Sequence, residues 1–108
     1  MTTSTIDPAT TVTTLINHFT VEPERQAELV ALLEKATEDV IRHVPGFVSA
    51  NLHASLDGTH VVNYAQWESE EALGGMWADP ACREHMDAAL ALATAEPRLY
   101  RVASVHHA

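Results

Sequence analysis

The stretch Val61-Val62-Asn63-Tyr64-Ala65-Gln66-Trp67-Glu68-Ser69 is rich in β-branched and aromatic residues and reads as a β-strand. Side chains on a strand return to one face every second residue. Val61, Asn63, Ala65 and Trp67 therefore share one face, while Val62, Tyr64 and Gln66 share the other. Asp57-Gly58, just upstream, signals a two-residue hairpin turn. That turn sets Leu56 opposite Thr59, and the register then places Leu52 opposite Asn63, Ala50 opposite Ala65 and Val48 opposite Trp67. The face holding Asn63 and Trp67 is otherwise apolar, and its alanines leave room. One amide and one indole N–H on such a surface suit the wall of a pocket for a flat, apolar ligand. A Trp at a strand end is more often plain core, so the rest of the chain has to support the pocket.

The composition narrows the function classes. The chain has 108 residues, of which 46% are hydrophobic, enough for one small domain with its own core. Lys+Arg 6 against Asp+Glu 15 gives a formal net charge of -9, which leaves no basic footprint for nucleic acid and no polybasic membrane anchor. One cysteine, Cys82, excludes an internal disulfide. No stretch is apolar for long enough to span a bilayer, and the first residues lack the basic-then-apolar pattern of a secretory leader. The expected location is the cytoplasm.

Residues 1–10 are Thr-rich with an Asp7-Pro8 break and read as a mobile arm, leaving 11–108 as the single domain. Thr11 to Val21 reads as a strand whose odd positions, Thr13, Leu15, Asn17, Phe19 and Val21, again make an apolar face with one Asn. Glu22-Pro23-Glu24 opens a helix whose apolar stripe runs to Val44, where Pro45-Gly46 ends it. Strands follow at Phe47 to Leu56 and at Thr59 to Glu68. Ser69-Glu70-Glu71 starts a second helix, and Asp79-Pro80 restarts it through Met86, Leu90 and Leu92. Pro97 then introduces a last strand, Leu99 to His106.

Strand, helix, strand, strand, helix, strand is the split βαβ order, an α+β ferredoxin-like βαββαβ fold. Its first and third strands lie side by side at the sheet centre, so Asn17, Asn63 and Trp67 converge on the face that the helices cover. The pocket lining expected from the sheet is Val48, Ala50, Leu52, Val61, Ala65 and Phe19; from the helices it is Leu73, Met76, Trp77 and His85. The other sheet face, with His53, Tyr64 and Gln66, mixes polar and apolar groups and suits a homodimer formed sheet to sheet. The seven histidines do not pair in this register, which argues against a metal site. Cys82 has no neighbour in sequence that would make it a nucleophile and reads as buried filler.

His53-Ala54-Ser55, Asp57-Gly58-Thr59 and the strand from Val61 to Ser69 closely resemble the cofactor-independent anthrone monooxygenases of aromatic polyketide biosynthesis. Pro45-Gly46-Phe47 and Ala78-Asp79-Pro80 also fit, so the resemblance runs from Thr11 to His106. That family sits within the antibiotic biosynthesis monooxygenase group, whose members are dimeric α+β barrels with a pocket in each subunit. The resemblance implies oxidation of an anthrone-type aromatic polyketide to its quinone by molecular oxygen, with no flavin, haem or metal cofactor. It also implies functional roles for Asn63, Trp67 and Asn17. Two departures stand out: Leu73 occupies a position where some relatives carry Tyr, and Arg83 is near, but not clearly equivalent to, a pocket Arg of one branch. Two other functions fit the same fold. One is haem degradation with Asn17, Trp77 and His85 as the working residues; the other is a non-catalytic ligand-binding dimer.

Overall fold

The computed structural model describes residues 2–108. The elements run β1 (Thr13–Val21), α1 (Gln26–Asp39), β2 (Phe47–Ala54), β3 (His60–Trp67), α2 (Glu70–Ala78), α3 (Pro80–Leu90) and β4 (Ala93–Tyr100). Short 3-10 turns at Pro23–Arg25 and Ile41–His43 flank α1. The four strands form one antiparallel sheet in the order β2-β3-β1-β4. This is the ferredoxin-like α+β arrangement, with β1 and β3 at the centre. Among the described residues no helix is long and apolar enough to cross a membrane.

Alternation sets the layers. Leu15, Phe19 and Val21 of β1 and Val61, Ala65 and Trp67 of β3 are buried on one sheet face. Leu29, Leu33 and Ala36 of α1 recur at helical spacing and close over it. Leu73 and Met76 of α2 and Cys82 and Ala89 of α3 complete the layer. Both later helices start as their sequences dictate. The Ser69 hydroxyl accepts the Ala72 N–H at 3.1 Å, and the Asp79 carboxylate accepts from Ala81 and Cys82 with Pro80 in the first turn.

Four boundaries differ from the sequence reading. First, the hairpin between β2 and β3 is not a two-residue turn. Ser55 and His60 close it (N···O 2.9 Å), Gly58 donates back to Ser55, and Gly58 takes a left-handed φ of 82° that glycine accepts without strain. The register beyond is unchanged, with Leu52 opposite Asn63 and Ala50 opposite Ala65. Second, that register shifts between Phe47 and Ser49, so Phe47 rather than Val48 faces Trp67, and Val48 is exposed. Third, α1 ends at Asp39, and the tighter turn that follows packs Val40, Ile41 and Val44 onto the cluster around Trp67. Fourth, the last strand is Ala93–Tyr100, not Leu99 to His106, and Pro97 lies inside it opposite Asn17. β4 is an edge strand, where a residue without an N–H leaves no ladder bond broken; α3 accordingly stops at Leu90 rather than Leu92.

The outer sheet face carries contacts from the start of the chain. The Gln66 amide donates to the Thr5 carbonyl at 2.9 Å, and Ser4 lies in hydrogen-bonding contact with Asn51. Ser49 donates to Gln66 Oε1 at 2.7 Å, which leaves Gln66 buried.

The hairpin loop carries the strongest acid-sensitive contact. The Asp57 carboxylate accepts from the Thr59 hydroxyl (2.7 Å), the Thr59 N–H (3.0 Å) and the Ser55 hydroxyl (2.7 Å). These bonds, led by the Thr59 hydroxyl, lower its pKa from 3.8 to about 2. A depressed carboxylate pKa stabilises the fold above 3.8, and that contribution disappears as the pH falls through about 2. Asp57→Asn should therefore melt below wild type at neutral pH. Circular-dichroism melts should show the two proteins converging across that acid window.

Candidate active site

Reading the sheet across its strands places the inner-face side chains around the amides and the indole. One row is Leu52, Asn63, Asn17 and Pro97; the next, toward the start of β1, is Ala50, Ala65, Leu15 and Leu99; Phe47, Trp67 and Thr13 follow. Asn17 and Asn63 are direct partners on neighbouring central strands, so their Cα atoms lie about 4.5–5.5 Å apart. Trp67 lies four residues along β3 from Asn63, about 13 Å at strand rise. Between the amides and the indole the floor is Ala50, Ala65 and Leu15. The small side chains of Ala50 and Ala65 create the space.

That space is a cavity of about 40 Å³ between the sheet and the helices. Asn17, Asn63, Trp67, Ala50, Ala65 and Phe19 line it from the sheet, and Met76 and Trp77 from α2. These are the sequence-expected residues that the fold brings together. Trp77 is 38% exposed, so it also reaches solvent.

Five expected lining residues lie elsewhere. Val48 is turned outward by the register shift. Leu52 keeps its place opposite Asn63 but lines an outer cleft beside α1. Val61 is locked in a second core cluster with Phe19, Leu29 and Ala89, and Leu73 is fully buried against Trp67 and Cys82. His85 does not line the cavity; its neighbour Met86 does. The trio of Asn17, Trp77 and His85 that haem chemistry would use is therefore not assembled around one space. Leu15, Leu33, Thr37, Ile41 and Phe47 also contribute walls, none of them singled out by sequence. Phe47 could have been found only by seeing the register shift. Leu33 and Ile41 belong to the apolar stripe that the sequence carries to Val44, Leu33 in α1 and Ile41 in the 3-10 turn after it.

The polar groups are few, and the two amides are unpaired. The Oδ1 atoms of Asn17 and Asn63 are buried without a hydrogen-bond partner. Which end of an amide is oxygen follows from its hydrogen bonds, so what matters here is that each amide keeps polar capacity free inside an apolar chamber. Leaving such a group unpaired costs about 1–3 kcal/mol. The Trp67 ring is 1% exposed and meets Phe47 edge to face, with centroids 5.4 Å apart at 87°. No Asp, Glu, His, Lys or Arg is among the cavity-lining residues.

The other candidate groups stand apart from this space. Cys82 is fully buried, and burial, reinforced by nearby Asp79, raises its thiol pKa, which keeps it protonated and unreactive. The rings of His18 and His60 come within 4.7 Å diagonally across β1 and β3, a contact the sequence register did not reveal. Among the described residues no three His, Cys, Asp or Glu side chains cluster as metal ligands would.

The sheet and helices of this ferredoxin-like domain enclose a small apolar chamber with two free amides. The chain belongs to the antibiotic biosynthesis monooxygenase family, which residues 13–96 match. It is 54% identical over 84 residues to the tetracenomycin-F1 monooxygenase of Streptomyces glaucescens, covering 78% of this chain and 75% of that protein. Its structure superposes on SnoaB, a cofactor-independent oxygenase from Streptomyces nogalater, with a TM-score of 0.77, 30% identity and coverage of 87% and 95%. The ActVA-Orf6 monooxygenase of Streptomyces coelicolor, solved with nanaomycin D bound, superposes with a TM-score of 0.73 and 39% identity, covering 94% of this chain and 96% of that one.

The site geometry generates a three-way comparison. Asn63→Ala removes an amide that lines the cavity and should lower kcat more than it raises KM. Trp67→Phe keeps most of the packing against Phe47 and removes the indole N–H. If that N–H bonds substrate, the rate should fall about tenfold or more with little loss of stability. Gln66→Ala alters the outer face and should spare turnover. Steady-state kinetics with melting curves on the three variants decide the matter; an inactive Gln66→Ala beside an active Asn63→Ala would overturn the face assignment.

Proposed function

We propose that this protein is a cofactor-independent monooxygenase that oxidises an anthrone-type aromatic polyketide intermediate to its quinone with molecular oxygen. Family membership and the relatives above support the reaction class. The observation that carries the site is the pair of unpaired amides, Asn17 and Asn63, facing each other in an apolar chamber.

Ground-state oxygen is a triplet and reacts slowly with closed-shell molecules. An anthrone removes that barrier when its ring CH2 loses a proton, because the resulting anion is electron-rich. The anion passes one electron to oxygen, and the radical pair combines to a peroxide at that carbon. Loss of the second proton with cleavage of the O–O bond leaves the quinone carbonyl and releases one water. The protein's part is to bind the rings, stabilise the anionic oxygen and keep bulk water out. Asn17 and Asn63 donate amide N–H bonds to that oxygen; one such preorganised donor is worth about 3–4 kcal/mol where it has been measured. Trp67 packs against the rings or donates its indole N–H.

The cavity lining has no carboxylate or imidazole to act as base. A phenolate of the substrate, relayed through water, is the proton acceptor that fits this lining; aromatic polyketides carry acidic phenols. We further propose a homodimer in the cytoplasm, with the outer sheet face turned toward the partner copy. Light scattering at micromolar concentration should give twice the chain mass; a stable monomer would refute the pairing.

Purified, colourless protein should convert a simple anthrone to quinone in air, consuming oxygen and retaining its rate after exhaustive chelation. Strict dependence on added flavin, haem or metal would contradict the proposal. So would a rate unchanged from buffer alone.

A further inference from the structure

The cavity beside the two amides is far too small for the ligand it is meant to hold. At about 40 Å³ it accommodates little more than a water molecule or two, whereas ligand pockets commonly span about 300–1,000 Å³. A second, solvent-open cleft of about 720 Å³ runs between the later turns of α1 and edge strand β2. Thr37 and Ala50 line both spaces. Leu52, directly opposite Asn63, lines the outer cleft. The inner and outer spaces thus abut across a partition made of one threonine and one alanine.

We propose that the aromatic substrate is held across this partition, the reacting edge of one ring reaching past Thr37 and Ala50 toward Asn17 and Asn63 and its remaining rings in the α1–β2 cleft. Thr37 is then the residue that sets which ring systems can pass. This inference rests on the aromatic-substrate reading above.

The chemistry of the two compartments fits a ligand with one buried and one wet end. The inner lining is apolar apart from the amides and the Thr37 hydroxyl. The Thr37 side chain, in turn, is tied to the Leu33 carbonyl at 2.8 Å, which fixes its rotamer and leaves its methyl available to the passage. The cleft rim carries Glu34, Lys35, Glu38 and Asp39, of which Lys35 and Asp39 pair at 3.2 Å. A polar, hydrated rim matches the hydroxylated outer edge of such a ring system, while the reacting carbon lies inside. Trp77 of α2 and Met86 of α3 line the inner cavity on another side and are not among the residues of the α1–β2 cleft.

The test uses binding rather than turnover, so that an inactive protein would sink the oxygenase reading without touching this one. Association of a tricyclic hydroxyanthraquinone is followed by quenching of tryptophan fluorescence in a stopped-flow instrument, with a bicyclic hydroxynaphthoquinone as the smaller probe. Thr37→Leu favours the helix and narrows the passage; it should slow the tricyclic probe by about tenfold or more and the bicyclic one by less than about threefold. Ala50→Val narrows the same passage from the β2 side and should give the same ordering. Thr37→Ala should speed the tricyclic probe. The proposal is overturned if both narrowing variants, folded by circular dichroism, bind the tricyclic probe at the wild-type rate or slow both probes equally. It is also overturned if Trp77→Ala accelerates the tricyclic probe while Thr37→Ala does not, or if the wild type binds no tricyclic probe.

Discussion

The antiparallel register of β1 against β3 fixes everything the site depends on. One pairing sets Asn17 against Asn63, Leu15 against Ala65 and Thr13 against Trp67. A slip of one residue on either strand would turn its amide to the outer face and bring an outer-face side chain into the core. The apolar partners hold the register in place: Leu15, Phe19, Val61 and Ala65 are each 3% exposed or less, and slipping them into water forfeits about 1.5–3 kcal/mol for each large side chain. The amides themselves add no stability. They are carried to the sheet centre by the burial of their neighbours and remain there with polar atoms unpaired.

That arrangement exchanges stability for function. A core optimised for stability alone would fill the space over Ala50 and Ala65 and replace both asparagines by apolar residues. Instead the two alanines leave a void, and two amides face it without partners. The same absence of ionisable groups that keeps the chamber apolar also removes any protein base, so the substrate's own phenol has to take that part in the proposed reaction. Oxygen needs no pocket of its own in this account, being small and apolar enough to enter with the substrate.

Much of this was legible in the residues. Period-two alternation assigned the faces of β1 and β3, and hairpin register placed Leu52 and Ala50 correctly. Ser69 and Asp79 marked the helix starts by their capping chemistry. Three features were hidden, each for a physical reason. The register shift beside Val48 involves no special residue type, so nothing in Phe47-Val48-Ser49 announces that Phe47 will face Trp67. Pro97 looks like a strand breaker until its strand is known to be an edge, which is a tertiary property. His85 and Met86 are separated by about 100° around α3, so a small error in helix phase exchanges a basic lining residue for an apolar one. That exchange removes the one histidine that the sequence had placed near the site.

The central claim is that Asn17 and Asn63 together stabilise negative charge on a ligand oxygen. The direct measurement is the pKa of a phenol on a tightly bound hydroxyanthraquinone, read from its visible spectrum across a pH titration. Binding to wild type should lower that pKa by about one unit or more, equivalent to about 1.4 kcal/mol. Asn17→Ala and Asn63→Ala should each reduce the shift, and the double variant should abolish it. An unshifted or raised ligand pKa in wild type, or a depressed one that survives loss of both amides, would contradict the account.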